Sequence, residues 1–262
     1  MHRAAILAAS LTLAACASGP PADPFAAGRW VDLTHSLGDD TLFWPTADPF
    51  RHEPVSVGRT PGGWYYSAYN VETSEHGGTH MDAPIHFHEG GITADRVPLE
   101  RLVGPAAVID VREASRDPDY RFSTADIARW EKKHGRLHPG TIVLFDTGRA
   151  SLWPDAVRYL GTAERGEAAV AKLHFPGLSE DVAHLLVTRG VAAIGLDTPS
   201  LDYGQSKDFI AHRILSAAGI PGFENVGDMS ALPARGATIV ALPAKIAEGS
   251  GAPLRIIAFV PR

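Results

Sequence analysis

The sequence predicts a mixed α/β domain in which helices flank a central sheet or barrel. Three observations carry that prediction: short apolar runs of strand length, helical patterns between them, and Gly or Pro at the ends of both. The runs fall at residues 106–111, 141–145, 191–196, 237–242 and 254–260, and each is apolar almost throughout, as in strands covered on both faces. The first helical pattern, 123–134, opens with Ser123 and Asp126 placed to cap it and stops at Gly135. A second, 179–189, opens on acidic residues and stops at Gly190, and a third spans about 207–217. The Gly- and Pro-rich stretch 44–65 reads as a loop and edge hairpin, with Trp44, Phe50, Trp64, Tyr65 and Tyr66 as candidate walls of a pocket.

From residue 29 to 262 there is no internal repeat, charge block or long linker, so a single domain is expected there. The chain is 45% hydrophobic and 21% charged, an ordinary mixture for a domain with a large core. A net charge of −6 without a long basic run argues against a nucleic-acid partner and for small-molecule chemistry.

The first residues follow a different rule. Met1-His2-Arg3 is a short positive end, and the apolar run after it, 4–13, is too short to span a bilayer. Residues 1–15 therefore read as a signal peptide. Leu13-Ala14-Ala15-Cys16 resembles a bacterial lipobox, which makes Cys16, the single cysteine of the chain, the expected lipid acceptor. Residues 16–28 are small and rich in Pro and Gly, the composition of a flexible tether. The expected product is an exported lipoprotein, held to a membrane through its lipid alone and facing the periplasm.

The segment richest in chemistry is 74–88, which holds four of the chain's 12 histidines. Gly77, Gly78 and Pro84 oppose a helix there. In an extended chain, residues 76, 80, 82 and 86 share parity and project to one face. Two imidazoles and a carboxylate, His76, His80 and Asp82, suit Zn²⁺, Mn²⁺ or Fe²⁺ with coordination positions left open, the arrangement of a catalytic centre.

The run His76-Gly-Gly-Thr-His80-Met-Asp82-Ala-Pro-Ile-His86 resembles the signature of the cyclase family, which includes bacterial kynurenine formamidases and isatin hydrolases. The resemblance extends to Asp32-Leu33-Thr34-His35-Ser36-Leu37, Trp44-Pro45, Asp146-Thr147-Gly148, the stretch from Gly195 to Asp202, His212 and Glu224-Asn225. It implies a swivelling β/β/α fold, a homodimer or homotetramer, and one or two divalent metals, with Zn or Mn expected. By position in those motifs, His76, His80 and Asp82 match ligands of one metal, Asp82, His212 and Glu224 match ligands of a second, and His86 matches the catalytic acid/base. Trp44 falls where substrate is expected, although Thr46-Ala47 replaces the Gly-Asp that follows Trp-Pro in kynurenine formamidases.

The chemistry implied is hydrolysis of the C–N bond of an activated aromatic amide, linear or cyclic, by metal-activated water with His86 as proton shuttle. No Gly-x-Ser-x-Gly elbow offers a serine nucleophile instead. The main expectation is an arylformamidase-like enzyme of the kynurenine formamidase kind, and two alternatives use the same residues: an isatin, lactone or cyclic-imide hydrolase, and a non-catalytic lipoprotein that captures metal or a small ligand. His86 discriminates, since pure binding needs no proton shuttle.

Overall fold

The structure is a computed structural model and describes residues 25–262; the expected signal peptide and Cys16 lie outside the described residues. Twelve strands occur among the described residues. They are β1 (Gly28–Asp32), β2 (Arg51–Arg59), β3 (Tyr65–Glu72), β4 (His80–Asp82), β5 (Val103–Asp110), β6 (Arg121–Phe122), β7 (Ile142–Asp146), β8 (Gly177–Leu178), β9 (Ala193–Leu196), β10 (Gly222–Glu224), β11 (Arg235–Pro243) and β12 (Gly251–Pro261). Eight of them form one sheet in the order β1-β12-β11-β5-β7-β9-β10-β4, and a further pairing of β12 with β4 closes seven strands into a barrel.

The five apolar runs expected as strands are β5, β7, β9, β11 and β12. They are apolar throughout because alternate residues serve two cores. Val108, Leu144, Ala193, Ile239 and Ile256 point into the barrel with Met81 and Phe223. Ile109, Phe145 and Leu196 point outward, where helices cover them.

Three short helices, α1 (Leu99–Leu102), α3 (Ala156–Leu160) and α4 (Glu167–Val170), connect elements, while α2 (Thr124–His134), α5 (Glu180–Arg189) and α6 (Ile210–Ala217) cover the outer face. The cap expected at Ser123 is in place. Ser123 and Asp126 close a capping box on α2, and the Ser179 side chain accepts from the Val182 N–H to begin α5. Gly190 ends α5 at φ +66°, a conformation that favours glycine.

The hairpin β2–β3 stands apart, paired only with itself. Trp64, Tyr65 and Tyr66 on it are all more than half exposed, so they wall no pocket within this chain. The expectation that these aromatics and Phe50 wall a pocket is not met: none of the four lines the cavity described below.

Candidate metal centre

Strand β4 is the seam of the barrel. Its three residues pair with β10 on one side and β12 on the other, with His80 opposite both Glu224 and Pro253, and Asp82 opposite both Gly222 and Gly251. Strand alternation turns Met81 into the core and sends His80 and Asp82 to the opposite face. Glu224 is therefore a strand residue held in register beside His80.

The extended run 76–86 expected from parity is confined to these three residues. Gly78 turns the chain at φ +57° between His76 and His80, and Pro84 opens a single 3-10 turn that carries His86 back. Turns, not one long strand, bring the four side chains together.

Ligand-type atoms of His76, His80 and Asp82 lie within 4.8 Å of one another, and so do those of Asp82, His212 and Glu224. His76 Nδ1 is 2.7 Å from Asp82 Oδ1. His212 Nε2 is 3.2 Å from Asp82 Oδ2 and 3.0 Å from Glu224 Oε1. His80 Nδ1 donates to the Gly78 carbonyl at 2.9 Å, which leaves Nε2 facing Asp82 at 3.3 Å and Glu224 at 3.4 Å.

These residues fit a divalent cation by a test internal to the structure. His80 Nε2 is buried and has no hydrogen-bond partner, yet two carboxylates flank it. A cation satisfies all three groups at once. His212 is turned the same way: its Nδ1 is 2.6 Å from Asp202 Oδ2, so Nε2 faces the other two carboxylates. A carboxylate behind a histidine is the usual means of fixing ring orientation and raising ligand basicity. In the sequence Asp202 only ends the stretch that begins at Gly195; in the structure it accepts from the Ala211 and His212 N–H groups at the start of α6 and so comes to lie behind the His212 ring.

The electrostatics agree. Burial opposes charge on His80, but Asp82 and Glu224 override it and push the ring up to about 10. Burial also opposes charge on His212, and Asp202, Asp82 and Glu224 raise it well above its ordinary value. Asp82, against its own burial, is held well below the usual carboxylate range by His76 and His212. The carboxylates demand positive charge at this point, and a divalent cation supplies it. His86 behaves in the opposite way: burial lowers it to about 4, so at neutral pH it is an uncharged imidazole. It stacks on His76 with ring centroids 3.9 Å apart.

Above this floor opens a cavity of about 420 Å³. Trp44 lines it as expected, joined by Phe43, Phe87 and Phe209, which the sequence did not single out. Phe209 sits 6.2 Å from Trp44 and 5.3 Å from Phe87 between ring centroids. Its φ of +49°, rare for a bulky residue, marks a constrained backbone at the start of α6.

A family profile described as "Putative cyclase" matches residues 31–203. The chain is also 33% identical over 248 residues to an isatin hydrolase of Roseibium aggregatum, covering 88% of this chain and 92% of that protein. The chain belongs to the putative cyclase family. Another cyclase-family relative, a kynurenine formamidase of Bacillus cytotoxicus, is 30% identical over 241 residues, covering 88% and 97%. Among solved cyclase-family structures, isatin hydrolase A from Ralstonia solanacearum superposes with a TM-score of 0.79 at 34% identity, covering 88% of this chain and 92% of that one. The α/β fold with its central barrel is thus the cyclase-family fold that the sequence implied.

Proposed function

We propose that the protein is a metal-dependent hydrolase that cleaves the C–N bond of an activated aromatic amide. The observation that carries this reading is the orphaned His80 Nε2 between Asp82 and Glu224, on the floor of a pocket walled by aromatic rings. His76, His80 and Asp82 would hold one divalent ion and Asp82, His212 and Glu224 a second, with Zn²⁺ and Mn²⁺ the best matches to mixed imidazole and carboxylate ligands. Such an ion, when bound, polarises a carbonyl and acidifies water.

The chain's own residues do the rest. Trp44, Phe87 and Phe209 orient a flat substrate and exclude water around it. His86, neutral and partly buried beside His76, accepts a proton as water attacks and passes it to the departing nitrogen.

A cyclic amide of the isatin kind is favoured over a formyl-kynurenine. Among the described residues no Lys or Arg lines the cavity. A kynurenine brings an amino-acid carboxylate that would enter this pocket without a cationic side chain to meet it, whereas isatin is neutral. The test is turnover of isatin, N-formylkynurenine, formanilide and a lactone with Zn²⁺ or Mn²⁺ supplied. Isatin should lead in kcat/KM by about 10-fold or more. Faster formylkynurenine turnover would reverse the preference, and inertness towards all four would sink the hydrolase reading in favour of a binding lipoprotein.

The same proposal places the protein outside the cytoplasm, anchored through lipid on Cys16. Mass spectrometry of the mature N-terminus checks this: a start beyond Ala17 without lipid would refute it. It also makes the protein a homodimer or homotetramer, because an isolated two-stranded hairpin is marginal in water and β2–β3 exposes Tyr65 and Val71. Light scattering that finds a monomer at micromolar concentration would overturn that part.

A further inference from the structure

We infer that Glu75 and Ser250 are positioning residues for His76, fixing its proton on Nε2 so that Nδ1 is the atom offered to a cation. The inference rests on the reading of the pocket floor as a metal centre. It begins with one carboxylate oxygen. Glu75 Oε2 accepts from the Ser250 N–H at 2.9 Å and the Gly251 N–H at 3.3 Å, and it lies 2.6 Å from Ser250 Oγ. A carboxylate has no proton to give, so the Ser250 hydroxyl donates to it.

That spends the only proton Ser250 has. Its Oγ lies 2.9 Å from His76 Nε2 and can then only accept, so the ring carries its proton on Nε2. The Nδ1 lone pair is left facing Asp82 Oδ1 at 2.7 Å. Two acceptors at that distance repel unless positive charge lies between them: a proton on Nδ1 without an ion, or a shared cation in that proton's place.

The start of β12 is shaped for this arrangement. A Cβ at Gly251 would come within 2.4 Å of His76 Cε1 and 2.6 Å of the Met81 carbonyl, so only glycine lets the ring lie flat against the strand. The Ser250 carbonyl accepts from the Ala83 N–H at 2.9 Å, which ties the positioning loop to the residue after β4. The three histidines thus receive three different supports: a backbone carbonyl for His80, a carboxylate for His212, and a carboxylate acting through a hydroxyl for His76.

The experiment measures Zn²⁺ affinity by competition with a chromophoric chelator, alongside the ¹⁵N spectrum of histidines in the Zn²⁺-loaded full-length protein. Ser250→Ala and Glu75→Gln should each weaken Zn²⁺ binding by about 10- to 100-fold, the usual loss when a partner behind a ligand is removed. Ser250→Thr, which keeps the hydroxyl, should restore it to within about 3-fold of wild type. The wild-type spectrum should show His76 protonated at Nε2 and coordinated through Nδ1. A merely structural role would lower the melting temperature and leave affinity and tautomer alone. Zn²⁺ binding unchanged in both Ser250→Ala and Glu75→Gln, or a wild-type His76 coordinated through Nε2, would overturn the inference while leaving the metal centre intact. A wild type that binds no Zn²⁺ takes down both readings. If Ser250→Ala fails to fold, the near-isosteric Glu75→Gln and the wild-type spectrum still decide.

Discussion

The pocket floor and its rim are built differently. On the floor, the side chains of His80, His212 and Glu224 are 3%, 5% and 5% exposed, and His80 and Glu224 are cross-strand partners in one sheet. At the rim, the His76 side chain is 23% exposed, and both His76 and His86 stand on turns and lean on one another. The strand ladder holds His80 and Glu224, and helix α6 with Asp202 behind it holds His212, whereas hydrogen bonds from loops and a ring stack hold the second set. The most buried of these groups stand on strands and a helix, whereas the more exposed ligand His76 and the proton shuttle His86 stand on turns where the chain can give.

The sharpest way to break that division is at Asp82, whose carboxylate serves both trios. Asp82→Ala should abolish metal retention and turnover together, and should lower stability by about 3 to 4 kcal/mol where metal was present at 100 to 1,000 times its Kd. Metal analysis and melting of the purified variant check this; full retention would show that the floor is not a metal centre.

His86→Ala tests the rim, and here rate and binding should separate. The variant should keep its metal while kcat falls by about 10²- to 10⁴-fold. Loss of metal as complete as in Asp82→Ala would make His86 a ligand, as His76 is, and leave the rim without a proton shuttle.

Asp202→Asn should have a smaller effect. The amide keeps the shape but weakens the support of His212 Nδ1, so metal affinity should drop by about 10- to 100-fold with the fold intact. An unchanged dissociation constant would show that the packing of α6 positions His212 without help from Asp202.

The smallest effect concerns a buried carboxylate that lacks histidine partners. Burial and the neighbouring Asp197 push Asp146 up to about 6, against an ordinary 3.8. A raised carboxyl contributes stability that is fully present below about pH 4 and is lost as pH rises through about 6. Asp146→Asn should therefore gain on wild type across that window and stay ahead by about 1 to 2 kcal/mol at pH 8. Equal melting at pH 8 would mean that Arg112, whose Nε lies 3.6 Å away, compensates the charge in full.

Much of this was legible because the signals were local. The five apolar runs, the Ser123 cap and the 74–88 segment need only neighbouring residues to be read. What stayed hidden joins distant parts of the chain. The β4–β12 pairing that closes the barrel leaves no mark in a three-residue strand. Glu75 meets Ser250 across 175 positions, and nothing near either residue announces the other. Asp202 and His212 are ten residues apart, but a loop and a helix start lie between them, so no periodicity relates the pair. The hairpin aromatics misled for a related reason: composition marks rings as apolar without saying what covers them.

The seam position of β4 also sets an order of events in biosynthesis. Its partners lie at 222–224 and 251–253, so the chain must have emerged from the ribosome through residue 253 before His80 and Asp82 gain both neighbours. Until then the ligand-bearing strand has an open edge and the pocket has no floor. A nascent chain therefore cannot trap an ion prematurely in the finished geometry; the ion that loads is drawn from whichever compartment the completed polypeptide folds in.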